Sequence, residues 1–222
     1  LGKGWVIGET LITGIGQGYT QTTPLQLCQM TAQLANGGFK IYPKIIVEED
    51  SQTAEEIRVI MNENRKKLNK KDSGSKDTTE LLGFLNKKKY ETLFKSSKNI
   101  NLVREAMFAS TNEIRGTSYK SRIEDPKYQF AGKTGTSQVR RITEAARELD
   151  LSTSEIPYNE RDHALYIAFG PYKNPRYALS IVIEHGGSGS SAAAPIAKKL
   201  FKLIIDRHEL RETQTKQNDL EI

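Results

Sequence analysis

The sequence predicts an α+β fold, an antiparallel sheet with helices packed against it. Two observations carry this. Three strand-like runs close the second half of the chain, at 129–139, 163–172 and 176–187, and Pro171-Tyr-Lys-Asn-Pro175 is a turn that makes the last two an antiparallel hairpin. Around them lie segments of helical periodicity with start and stop signals. At 222 residues the chain suits one large domain, or one domain with an insertion, and is ample for a core.

In chain order, "TLITG" is a short apolar run leading into the glycine loop "GIGQG". A helix then opens: Thr23 is placed as N-cap, Pro24 takes the first helical position and Gln26 completes a capping box. Leu25, Cys28, Thr31 or Ala32, and Ala35 recur on one face, and Asn36-Gly37-Gly38 stops the helix. "FKIYPKIIVEE" reads as a strand pair or an extended segment. Residues 50–98 change character: weak helical patches broken by Lys, Asn, Ser and Gly describe a Lys-rich insertion, partly helical.

"INLVREAMFASTNE" is the next helix, with Leu102, Ala106 and Ala109 on one face. After the three strands, a Ser/Gly/Ala loop launches a last helix whose Ile196, Leu200, Leu203 and Ile204 form an apolar stripe. Beyond about Glu209 a polar tail, residues 210–222, is expected to fray.

Composition narrows the function classes. The formal net charge of +6 comes largely from the Lys-rich tract, and no aromatic residues interleave with it, so it reads as a solvated surface and no nucleic-acid partner is expected. The single cysteine, Cys28, excludes an internal disulfide and reads as a small core residue. His163, His185 and His208 lack metal-like spacing, so no metal and no cofactor are expected. No run approaches the roughly 18 apolar residues of a membrane span, and no signal peptide or anchor is visible. The chain begins with Leu1 in mid-loop and reads as the C-terminal piece of something longer.

"FAGKTGTSQV", residues 130–139, puts polar residues in a strand-like run. A phosphate loop would need glycine where Lys127 stands and a helix where "TGTSQV" continues as strand. The dinucleotide fingerprint fails at Tyr19, and "GGSGS" misses the nucleophile elbow by its last glycine. What remains is Lys133-Thr134-Gly135 on a strand. In a regular strand Lys133 and Gly135 point alike and Thr134 opposite. The lysine supplies a fixed charge, and the bare glycine lets a substrate backbone lie along the strand as an added one. A backbone amide just past the glycine can serve as an oxyanion-hole donor. The bland alternative is an ordinary edge strand.

The succession "GIGQGYTQTTPLQLCQMTAQLANGG", "GTSYKS", "FAGKTGTSQV", "HALYIAFGPYKNPRYALSIVIEHGGSG" resembles the class B penicillin-binding proteins, most of all the elongation-type peptidoglycan D,D-transpeptidases, the penicillin-binding protein 2 group. The resemblance spans nearly the whole chain except the insertion. It implies the transpeptidase fold shared with serine β-lactamases, a five-stranded antiparallel sheet with helices on both faces, and makes residues 1–209 the C-terminal portion of that domain. It assigns Lys133 a catalytic place and Thr134, Gly135 and Thr136 the substrate, with Thr136 also giving an oxyanion-hole amide, while Gly116-Thr117 matches the segment before that strand. It implies peptidoglycan stem peptides as substrate, β-lactams as mimics, elongation-machinery proteins as partners, and an inner-membrane anchor with a periplasmic catalytic domain.

The family's other two motifs, Ser-x-x-Lys and Ser-x-Asn, belong before "GIGQG", so no nucleophile is expected within the chain and it is read as inactive alone. Ser73-Gly-Ser-Lys76, Ser97-Lys-Asn99 and Ser110-Thr-Asn112 spell them in the wrong order. The resemblance also implies an open edge along residues 178–184, and with it marginal stability. A catalytically inactive remnant or split-gene half, and a β-lactamase or β-lactam sensor, are the alternatives.

Overall fold

Three antiparallel strands, β1 (Ala131–Ser137), β2 (His163–Gly170) and β3 (Tyr177–Ile183), form a sheet in the order β1-β2-β3. The computed structural model describes residues 4–43, 92–93, 96–139 and 151–220, of 212 and 214–220 the backbone alone. Most of the expected insertion, Ser73–Lys76 included, lies outside the described residues.

The hairpin forms where the sequence places it, with the Arg176 amide donating to the Gly170 carbonyl at 3.0 Å. β2 is the central strand, and its alternation sorts side chains into two layers. Ala164, Tyr166 and Ala168 are fully buried in a cluster with Phe130 and with Ala194, Ala197 and Phe201 of the last helix, α4 (Ala194–Leu220). Phe169, with Ile167 packed against it, joins Ala131, Ala35 and Met107 in a second cluster. Both faces of the sheet are thus covered by helices, and each large side chain buried there contributes roughly 1.5–3 kcal/mol. Among the described residues β3 pairs only with β2, so its outer edge is open as expected.

The second helix, α2 (Pro24–Ala35), starts as read. The Gln26 amide donates to Thr23 Oγ1 at 3.2 Å and the Thr23 amide to Gln26 Oε1 at 2.8 Å. It ends where Asn36 Oδ1 accepts from the Gly38 and Phe39 amides and Gly37 turns at φ 92°. Thr31 and Ala35 are buried and Cys28 half-buried, its thiol pushed up by burial, but Leu25 stays 61% exposed. "FKIYPKIIVEE" shows one isolated antiparallel bridge, Phe39 to Thr92, and its remainder from 44 on lies outside the described residues.

The apolar run "TLITG" lies within a helix, α1 (Ile7–Gly14), which buries none of its residues. Three expectations are corrected. In the third helix, α3 (Ser97–Asn112), the buried face is Ile100, Met107 and Thr111, while Leu102 and Ala106 are exposed. The seam recruits a threonine, which bonds across it, and passes over the leucine. In α4 the buried stripe is Ala194, Ala197, Phe201 and Ile205, while Ile196 and Leu203 are exposed. Alanines let the helix approach β2 closely, so the small side chains mark the seam. Finally, the backbone stays helical through the polar stretch to Leu220 where fraying was expected, with Thr213 Oγ1 donating to the Glu209 carbonyl at 2.9 Å.

Candidate active site

Lys133-Thr134-Gly135-Thr136 lies in the middle of β1, paired with Ile167, Tyr166, Leu165 and Ala164. β1 is an edge strand among the described residues, so its outer side is free of backbone partners. The register gives the alternation the sequence predicts, with Lys133 and Gly135 on one face, Thr134 and Thr136 on the other. Lys133 is exposed and forms no ion pair among the described residues. Its ammonium folds back over its neighbour, donating to the Thr134 carbonyl at 2.8 Å and lying 3.5 Å from Thr134 Oγ1. The four motif residues therefore present one ammonium and two hydroxyls along an edge.

Thr134 is held from beneath. Its hydroxyl is 3.2 Å from that of Thr117, which is 3.2 Å from Ser110 Oγ at the end of α3. Gly135 carries no side chain where an added Cβ would come within 3.3 Å of Leu165 Cβ. The backbone of Gly189 seats against the same place, since a Cβ there would stand 2.7 Å from the Gly135 carbonyl oxygen.

A layer below, three hydroxyls meet. Tyr166 Oη is 3.0 Å from both Thr111 Oγ1 and Ser118 Oγ, all three residues being buried. This knot ties α3, the segment after Gly116 and the central strand together. Burial pushes the Tyr166 hydroxyl pKa up, so the group stays neutral. Tyr166 reaches the knot by crossing Gly132, where an added Cβ would lie 2.3 Å from its hydroxyl oxygen.

Gly132, Tyr166, Thr111 and Ser118 were not singled out from sequence. The usable signal was a tyrosine at a buried position of an alternating strand, whose hydroxyl has to find partners. Of the decoy residues that are described, Ser97 opens α3, Ser110 Oγ meets Thr117, and Asn112 Nδ2 donates to the Phe108 and Phe130 carbonyls at 3.0 and 2.9 Å.

The histidines hold strand ends together. His163 Nδ1 accepts from the His185 amide at 2.9 Å, and His185 Nδ1 donates to the Arg161 carbonyl at 3.0 Å. His208 meets Tyr177 and Arg176. Among the described residues no three metal-binding side chains group together.

The sequence matches the penicillin-binding protein transpeptidase domain over residues 1–202. Peptidoglycan D,D-transpeptidase MrdA of Salmonella typhimurium is 34% identical over 92% of this chain and 28% of its own length. MrdA of Escherichia coli strain K12 is 29% identical over 96% and 28%. In structure the chain is similar to penicillin-binding protein 2 of Helicobacter pylori in complex with MreC, at a TM-score of 0.61 and 27% identity, over 92% of this chain and 28% of that one. It is similar also to penicillin-binding protein 2 of Pseudomonas aeruginosa in complex with WCK 5153, at 0.55 and 32%, over 88% and 32%. The chain spans little more than a quarter of the length of the curated relatives it matches. A match over almost the entire chain, on the fold and strand motif just described, means that the chain belongs to the penicillin-binding protein transpeptidase domain family.

Proposed function

We propose that residues 1–209 are the C-terminal portion of a peptidoglycan D,D-transpeptidase domain, interrupted by the Lys-rich insertion at about 50–98 and followed by the polar segment 210–222. The observation that carries the reading is the free outer edge of β1, which displays Lys133, Thr134 and Thr136 around a bare Gly135. A peptide can pair with such an edge as an added strand, and its carbonyl then lies against backbone amides.

In the reaction, a serine attacks the carbonyl of the stem peptide's penultimate D-alanine, the terminal D-alanine leaves with a proton, and the acyl group passes to an amine of a neighbouring strand. Lys133 supplies the fixed positive charge beside the nucleophile. The Thr134 and Thr136 hydroxyls hold the terminal carboxylate, and the Thr136 amide donates to the oxyanion. The serine and its lysine base are supplied from outside these residues.

β-Lactams, which resemble the terminal dipeptide, occupy the same edge. By analogy with the Helicobacter pylori protein bound to MreC, the partners are proteins of the elongation machinery. The complete protein is placed in the inner membrane with this domain in the periplasm. No helix among the described residues is long and apolar enough to cross a membrane.

The test is acylation by a labelled penicillin, followed by intact mass. The 222-residue chain alone should gain no adduct, and an adduct mapped to one of its serines would overturn the placement of the nucleophile. In the complete protein, Lys133→Ala should slow acylation about a hundredfold or more. An unchanged rate would remove Lys133 from the site, and hydrolytic turnover of the penicillin would favour the β-lactamase reading.

A further inference from the structure

Beside the sheet, a recess of about 620 Å3 opens between the 3-10 turn Tyr119–Ser121 and the first turns of α4. We propose that it binds a phosphate-bearing anion of more than one negative charge, a free pyrophosphate or the phosphate of a lipid headgroup, held by Lys120, Lys198, Lys199 and Lys202.

Charge is the first argument. All four lysines line the recess, and no carboxylate does. None of the four forms an ion pair among the described residues. Acids nearby are occupied elsewhere: Asp206 meets Tyr128 and Lys127, Glu209 meets Lys127 at 2.6 Å, and Glu124 meets Arg122 at 2.7 Å. The recess is thus a concentration of uncompensated positive charge.

The placement of the lysines is the second argument. Lys198, Lys199 and Lys202 fall within the first nine residues of α4, whose first turn holds no acid. Lys198 and Lys202 form a like-charge pair at i,i+4, which works mildly against the helix and which an anion between them relieves.

A hydroxyl is the third. Ser121 lines the recess although only 3% exposed, and its hydroxyl has no hydrogen-bond partner among the described residues. That hydroxyl opens on the recess, where a phosphate oxygen can accept its hydrogen bond. Across the recess stand Ser190 and Ser191, in the π turn Gly189–Ala193 that leads into α4. A tetrahedral phosphate presents several oxygens to donors on both walls, which one planar carboxylate does not.

This proposal stands apart from the transpeptidase reading, and its test needs no catalysis. Sodium pyrophosphate is titrated calorimetrically into the full chain at low salt, and the chain is sedimented with phosphatidylcholine vesicles with or without phosphatidic acid. Saturable, salt-sensitive binding to pyrophosphate is expected. Sedimentation with phosphatidic acid vesicles in addition would name a lipid headgroup, and its absence a free phosphate.

The double variant Lys198→Glu/Lys202→Glu should weaken whichever binding is seen about tenfold or more. Its melting curve, recorded alongside, should match that of the wild type and so separates lost binding from lost fold. Ser121→Ala, with its melting curve recorded alongside, should weaken binding severalfold. No binding to either probe, or equal binding by the wild type and the double variant, overturns the proposal.

Discussion

Phe130, Tyr166, Phe169 and Phe201 of the sheet and α4 expose none of their surface, whereas in α1 Ile7 is 82% exposed and Leu11 70%. Both regions carry large apolar residues at helix or strand spacing. In the sheet and α4 these four side chains meet facing elements. In α1 no such residue does among the described residues, and the helix is held only by local bonds, such as the Val6 amide to Glu9 Oε2 at 2.9 Å. An apolar stripe therefore states that an element needs a partner without saying where that partner lies. Stability in this chain resides in the half that contains the Lys-Thr-Gly strand.

The comparison is most easily broken at Phe201. Its ring stacks on Phe130 at a centroid distance of 4.9 Å and fills the space between α4 and β2. Phe201→Ala should cost about 3–5 kcal/mol by urea or thermal melt. A cost under about 1 kcal/mol would mean that the α4 seam is not the centre of the core.

The next effect is smaller and sits under the candidate site. Gly132→Ala drives a methyl into Tyr166, whose hydroxyl is fixed by Thr111 and Ser118 and cannot swing away freely. We expect about 1–3 kcal/mol lost. In the complete protein penicillin acylation should also slow, because β1 must shift. Loss of stability with unchanged acylation would separate Gly132 from the site.

Tyr166→Phe removes the hydroxyl and leaves Thr111 and Ser118 without their shared partner, at about 1–2 kcal/mol. It also changes the pH profile. The folded pKa lies above the unfolded one, so the neutral hydroxyl's contribution is fully present below the unfolded value of about 10. It is then lost as pH rises toward the folded pKa. Wild-type stability should thus decline above about pH 10 more steeply than that of the variant. Parallel alkaline declines would mean that the hydroxyl is not buried in solution.

What could be read from sequence divides along the same line. Thr23-Pro24-x-Gln26 announces a helix start because a cap is a local bond, complete within four residues. The hairpin and the strand around Lys133 were legible for the same reason, through turn residues and period-2 alternation. The packed faces of α3 and α4 were not. They are set by closeness of approach and by hydroxyl pairing, which favoured Ala197 over Leu203 and Thr111 over Leu102. Of the site, the strand motif was legible, but its support was not, since Gly132 and Tyr166 lie 34 positions apart and only the sheet register brings them together.

Thr23→Ala tests the local kind of stability. It removes the hydroxyl that accepts from the Gln26 amide and should cost about 1 kcal/mol, read as a lower melting midpoint. The smallest effect is expected in α1. Leu11→Ala deletes a side chain that is 70% exposed on a helix with no buried residue, and alanine is at least as good a helix former as leucine. The melting midpoint of the chain should therefore hardly move, within about 0.5 kcal/mol. A loss of 2 kcal/mol or so, in the range of a core leucine, would show that α1 is packed in solution. The contrast between the two regions would then collapse, because the exposed stripe would already have its partner.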